Sequence, residues 1–190
     1  MTSAKLFGQA LLSMGPNSWF AKTDVENAYK LLHCRLEERP FFGFTWLGKF
    51  FFDISTPFGS KAAPANFDDL NETLVYISAT LSKTPLSWVF KQLDDVPVLC
   101  PQNSSAAQQF YATYQAVCAA IGVPLAPHDP NRIKAFTPGQ TGTVLGICFR
   151  SSDLSWKFPP NKWHATISLL DQFFNNKLSL CFSSKNSMVN

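Results

Sequence analysis

The sequence predicts an α+β domain: one mainly antiparallel sheet with helices on one face. Strand-like apolar runs arrive mostly in pairs around short turns, as antiparallel neighbours do. Segments with helical apolar spacing follow those pairs. The 190 residues, 46% apolar and 15% charged, suit roughly one globular domain with a real core.

Thr2 to Met14 reads as a short amphipathic helix. Thr2 or Ser3 caps it, and Leu6, Ala10, Leu11 and Met14 share a face. Gly15-Pro16-Asn17 stops it. Trp19 to Val25 reads as a strand ending in polar Lys22, Thr23 and Asp24. Phe41–Trp46 and Lys49–Ile54 are aromatic runs joined at Leu47-Gly48, a hairpin signal. Ala62 to Leu81 reads as a long helix with Phe67, Leu70, Leu74 and Ile77 at helical spacing. Leu86–Leu93 and Val96–Leu99 read as strands with Asp94-Asp95 between them. Ser105 to Ile121 is a second long helix, closed by Gly122. Residues 123–142 read as a Pro/Gly-rich connection. Thr143–Phe149 and Leu154–Phe158 read as another hairpin. Asn161 caps a last helix to about Phe174, and 175–190 reads as a disordered end.

The net charge of +3 says little about partners. Its excess lies late in the chain, in Arg150, Lys157, Lys162, Lys177 and Lys185 against Asp153 and Asp171. That quarter suits phosphate best, although an ordinary solvated face has the same composition. Cys34, Cys100, Cys118, Cys148 and Cys181 show no C-x-x-C spacing, so zinc is not suggested. Reduced thiols, no basic-then-apolar leader and no apolar run near the ~20 residues of a membrane span lead us to expect an intracellular protein that does not enter a membrane.

The main chemical signal is Asp94-Asp95. Adjacent carboxylates in a tight turn between apolar strands repel each other and lose solvent, a cost that a cation offsets. Hard oxygen ligands suit Mg²⁺ or Mn²⁺. A plain Asp-rich turn gives the same sequence. Asp68-Asp69 is the control: it lies in a helix pattern, where neighbours point apart, and reads as a solvated face. Asp24 ends a predicted strand. If that strand neighbours the Asp94 turn, three carboxylates meet at one sheet edge, as two metals serving phosphoryl transfer require.

Four segments then carry a resemblance. Ala21-Lys22-Thr23-Asp24-Val25-Glu26-Asn27-Ala28-Tyr29 resembles motif A of reverse transcriptases. Thr56-Pro57-Phe58-Gly59, followed by Ala63-Pro64 and Phe67, resembles motif B, and Gln92-Leu93-Asp94-Asp95 resembles motif C. Val144-Leu145-Gly146-Ile147 with Leu154 to Lys162 resembles the Leu-Gly hairpin and Leu-Pro-x-x-Lys segment that follow. The order and spacing cover residues 15–170. The Ala-Lys-Thr-Asp start and Gly122-Val123-Pro124-Leu125-Ala126 are most similar to the tyrosine-recombinase (DIRS-type) retrotransposons.

The resemblance implies a polymerase palm, a ferredoxin-like antiparallel sheet, at 19–160. Residues 1–18 would be a fingers remnant and 161–190 the start of a thumb. It implies RNA-directed DNA synthesis with two Mg²⁺ or Mn²⁺ ions, a primed RNA or DNA template and deoxynucleoside triphosphates. Asp24 and Asp94 would bridge the metals, Asp95 would be the third carboxylate, and the Val25 carbonyl a further ligand. Tyr29 would close the space a ribose 2′-OH needs. Pro57, Phe58 and Gly59 would lie against template and nucleotide. Lys134 would protonate pyrophosphate, with Arg132 competing and His128 a weaker candidate. Gln92 stands where the family has a Tyr, which puts primer contact in doubt. Fingers, a finished thumb and ribonuclease H are expected to be missing, so the 190 residues alone are not expected to polymerise. Exposed Phe41–Phe44 and Phe50–Phe52 would lower solubility. The alternatives are a degenerate, non-catalytic remnant that at most binds nucleic acid, and an unrelated α+β binding domain.

Overall fold

The computed structural model describes residues 3–159 and, further along, 164, 165 and 167–169. The chain divides into two units, Met1–Trp156 and Lys157–Asn190. The elements in order are α1 (Ala4–Met14), β1 (Trp19–Asp24), β2 (Gly43–Trp46), β3 (Lys49–Phe52), α2 (Ala63–Ser82), β4 (Asp95–Cys100), α3 (Ala106–Ala120), β5 (Phe136–Gly139), β6 (Thr141–Val144), β7 (Ile147–Arg150) and β8 (Ser155–Lys157).

The sheet that carries the acidic residues has the order β4-β1-β5. β1 runs antiparallel to β4, from Trp19 opposite Cys100 to Asp24 opposite Asp95. It runs antiparallel to β5 on its other side, with a register shift between Phe20 and Lys22. Side chains alternate between the two faces. Ala21, Val96, Val98 and Cys100 pack on Leu74, Val75 and Ala79 of α2 and on Phe110, Tyr114 and Cys118 of α3. Phe20, Leu99 and Phe136 turn the other way, onto Phe7 and Leu11 of α1, Phe90, Val144 and Phe149. Phe7 meets Phe20 and Phe90 edge-on, with centroids 5.7 and 5.3 Å apart.

Helices therefore cover both faces of the sheet, not one as the sequence predicts. The cause is α1: its Phe7 and Leu11 are buried, whereas Leu6 is 47% exposed. Ser3 caps α1 as expected, its hydroxyl accepting from the Leu6 N–H. In α2 the buried stripe is Phe67, Asn71, Leu74, Ser78 and Ser82, with Ile77 left exposed. The Ser78 and Ser82 hydroxyls donate to the carbonyls of Leu74 and Ser78, so they enter the core without unpaired donors.

Three further elements differ from expectation. The connection 123–142 contains β5. Its Phe-Thr-Pro-Gly sequence is short and holds a Pro, which an edge strand tolerates because its outer N–H makes no ladder bond. Thr143–Phe149 is not one strand. β6 and β7 meet at Leu145-Gly146, whose φ angles of 48° and 81° make it a hairpin turn like Leu47-Gly48 at 49° and 70°. Leu86–Leu93 opens with a 3₁₀ turn at Leu86–Trp88 and then pairs with β4 as isolated bridges at Val89 and Gln92, not as a strand. Pro97 accepts from the Phe90 N–H at 2.8 Å but has no N–H to return, so the ladder cannot run on.

The β2–β3 hairpin forms as predicted and is exposed on both faces, with Trp46 64% and Phe50 65% accessible. Cys34, Cys100 and Cys118 are buried and not disulfide-bonded. Arg150 pairs with Asp153 at 3.5 Å, while Lys162, Lys177, Lys185 and Cys181 lie outside the described residues. So does most of the expected helix from Asn161 to Phe174 and the tail beyond it; within that span 164–165 and 167–169 are helical. No described helix is long and apolar enough to cross a membrane.

Candidate functional site

The polar end of β1 and the turn before β4 build the site. Gln92 and Asp95 exchange both backbone hydrogen bonds, at 2.8 and 3.0 Å, so Leu93 and Asp94 form the turn. Leu93 adopts φ 51°, which for a branched side chain costs roughly 1–2 kcal/mol. Asn71 of α2 holds it there: its Nδ2 donates to the Leu93 carbonyl, and its Oδ1 accepts from the Tyr114 hydroxyl at 2.6 Å. Asn71 and Tyr114 are both fully buried. The Val25 N–H donates to the Asp94 carbonyl at 3.1 Å, fastening the turn to the end of β1.

This arrangement opens a pocket of about 770 Å³ whose walls include Asp24, Val25, Tyr29, Phe58, Asp94 and Lys134. Asp24 and Asp94 thus share one pocket, although the residue directly across the strands from Asp24 is Asp95. Tyr29 stands edge-on to Phe58 at 5.4 Å and to buried Phe67 at 6.2 Å. Phe58, 78% exposed, forms the rim, and Gly59 at φ 92° supplies the turn behind it.

Lys134 lines the pocket, as does His128, and Arg132 does not. The Arg132 guanidinium lies 4.6 Å over the Phe136 ring and donates to the Thr141 and Thr137 carbonyls. The loop that presents Lys134 is shaped by Asp129, whose carboxylate accepts from the N–H groups of Asn131, Ile133 and Lys134 at 2.9–3.0 Å. Asp95, Gln92, Pro57 and Gly59 are not in the pocket wall. Asp95 is bound instead by Lys22, at 3.0 Å. Gln92 keeps its Oε1 buried without a partner among the described residues. Asp68 pairs with Lys91 at 2.6 Å, away from this wall, and Asp69 is exposed.

The sequence reading did not single out Lys22, Asn71 or Tyr114. Two of them leave a trace: a Lys two residues before Asp24 on the same strand face, and an Asn within the apolar stripe of a helix.

Burial, then repulsion from Asp95 and Asp94, raises the Asp24 pKa from 3.8 to about 6. Burial likewise raises Asp95, against the pull of Lys22. The folded chain thus binds the Asp24 proton more tightly than the unfolded chain does. This group's contribution to stability is full below about pH 4 and declines as pH rises to about 6. Asp53, Asp129 and Asp153 are lowered and act at more acidic pH, with the opposite sign. Melting temperatures of cation-free protein, wild type against Asp24→Asn, should therefore diverge in favour of the variant between pH 4 and pH 6.5. Parallel curves would contradict this reading of Asp24.

Among the described residues no three His, Cys, Asp or Glu side chains form a ready ligand set. Asp24 and Asp94, which line the pocket with Val25, nevertheless supply the hard oxygen donors that suit a divalent ion. Their mutual repulsion is the cost such an ion removes. Asp95, the third carboxylate expected there, is not in the pocket wall and is paired with Lys22.

No family model and no curated protein matches the sequence. Solved structures do. A foamy viral protease-reverse transcriptase in complex with double-stranded DNA matches at 14% identity and TM-score 0.58, over 81% of this chain and 25% of that one. The prototype foamy virus protease-reverse transcriptase CSH mutant matches at 19% and 0.55, over 78% and 19%. The foamy viral enzyme in complex with an RNA/DNA hybrid matches at 13% and 0.54, over 85% and 20%. The chain spans a quarter or less of each of these proteins. At such identities the likeness is one of architecture: this chain has a reverse-transcriptase-like fold.

Proposed function

We propose that the chain is the palm portion of an RNA-directed DNA polymerase, with residues 19–160 as palm, 1–18 as a fingers remnant and 161–190 as the start of a thumb. One observation carries the reading: Asp24 and Asp94 line one pocket with Tyr29, Phe58 and Lys134, within a reverse-transcriptase-like fold. Two of the structural relatives were solved with double-stranded DNA and with an RNA/DNA hybrid, which supports a primed template as partner. Kinship with DIRS-type retrotransposons rests on the motif segments.

Two Mg²⁺ or Mn²⁺ ions would supply an activated primer 3′-hydroxyl and neutralise the departing pyrophosphate. The chain's own residues do the rest. Asp24 and Asp94 would anchor the cations, with the Val25 carbonyl a further ligand. Tyr29, backed by Phe67, presents a ring where the sugar of a deoxynucleoside triphosphate would sit. Pro57, Phe58 and Gly59 shape the template side. Lys134 holds a proton at Nζ for the leaving phosphate.

A second reading, a degenerate remnant that only binds nucleic acid, draws support from the Lys22 hold on Asp95. Sugar choice separates the two. In a chain completed with fingers and thumb, Tyr29→Val should incorporate ribonucleotides at least ~10-fold better, because the empty space admits a 2′-OH. Unchanged discrimination would make Tyr29 a core residue. No templated synthesis from the completed wild type would favour the remnant.

A further inference from the structure

Lys22 lies in mid-strand and is 4% exposed. A buried ammonium is stable only when paired and hydrogen-bonded. Its Nζ sits 3.0 Å from Asp95 Oδ1 and donates to the Ile133 carbonyl at 2.8 Å. The strand pairing produces this contact. Lys22 and Asp24 are two apart and share a face, and Asp95 lies directly opposite Asp24, so Lys22 reaches Asp95 along the diagonal. The second bond pins the residue before Lys134, which lines the pocket. Asp24 and Asp94 are in the pocket wall and Asp95 is not.

We propose that Lys22 is a built-in counter-cation and positioning residue: it holds Asp95 outside the ligand shell and pins Ile133, leaving an external divalent ion to Asp24 and Asp94. The proposal rests on the polymerase reading and sharpens it, because it removes one of the three carboxylates from metal binding. A merely structural ion pair makes the opposite forecast. Losing it would loosen the site and weaken cation binding, or leave binding unchanged.

The test is Mn²⁺ binding to the 190-residue chain, read from the electron paramagnetic resonance signal of the free ion. Lys22→Met should bind Mn²⁺ roughly tenfold more tightly than wild type, since Asp95 then adds an uncompensated charge beside the ion. Lys22→Met/Asp95→Asn removes the pair together and should return to within about twofold of wild type. Equal or weaker binding by a folded Lys22→Met protein overturns the proposal. If circular dichroism shows that Lys22→Met does not fold, the double variant decides. Wild-type affinity supports the proposal, and a tenfold loss makes Asp95 a ligand and overturns it. Asp24→Asn and Asp94→Asn separate the two levels of the argument. If wild-type binding ignores both, the cation site fails and this inference with it. If binding depends on both but the Lys22 variants do not behave as stated, only this inference falls.

Discussion

Asp94→Asn and Asp24→Asn should each lower templated primer extension by on the order of a thousandfold in a chain completed with fingers and thumb. Each substitution keeps the shape of the side chain and removes the negative charge that holds a divalent ion. A metal stabilises several kcal/mol of transition-state charge, and each ~1.4 kcal/mol is a tenfold change in rate. Asp24 and Asp94 line the pocket, as do Glu26 and Asp129, and the loss should fall on the chemical step more than on template affinity. Asp69→Asn is the control. Asp69 is exposed on α2 and should be nearly silent. Equal losses at Asp69 and Asp94 would mean that the wrong acidic pair has been chosen.

The largest stability effect should come from Asn71→Ala. Asn71 joins α2 to the half-buried Leu93 carbonyl and to the buried Tyr114 hydroxyl of α3. Removing its amide strands the buried Tyr114 hydroxyl, at about 1–3 kcal/mol, and the half-buried Leu93 carbonyl, at less. A net loss of about 2–4 kcal/mol is expected, a drop in melting temperature on the order of 10 °C. Tyr114→Phe removes one partner and should cost less. The effect should reach the site as well. Asn71 holds Leu93 in its left-handed conformation, and Leu93 sets the direction of Asp94. Thermal unfolding of the variants by circular dichroism checks this, and an Asn71→Ala loss below about 1 kcal/mol would show that water or a relaxed turn replaces the clasp.

Some of this architecture was legible in the sequence because it depends on local signals. The Ser3 cap, the Leu47-Gly48 turn, the helical stripe through Phe67 and Leu74 and the strand ending at Asp24 are each encoded within a few residues. Other features depend on residues far apart. β5 is too short and too rich in Pro and Gly to announce itself, and it becomes a strand only because β1 offers an edge. Apolar patterning alone places Leu145 in a strand interior, although it takes a left-handed turn conformation beside Gly146. Within the candidate site, Asp24 and Asp94 could be picked out from their place at strand ends. The engagement of Asp95 could not, because it depends on the register that sets Lys22 diagonal to it, and on a carbonyl more than a hundred residues downstream. The sequence offers Lys134 with Arg132 as a competitor, and that the Arg132 guanidinium is spent on Phe136 and two carbonyls is visible only in the fold.

The central claim is that Asp24 and Asp94 bind a divalent cation together. Anomalous scattering from crystals of the chain soaked in Mn²⁺ tests it most directly. The account predicts a manganese peak between the Asp24 and Asp94 carboxylates, beside the Val25 carbonyl, with Asp95 still on Lys22. Manganese at Asp68 and Asp69 instead, or Asp24 and Asp94 turned apart with no metal between them, would contradict it.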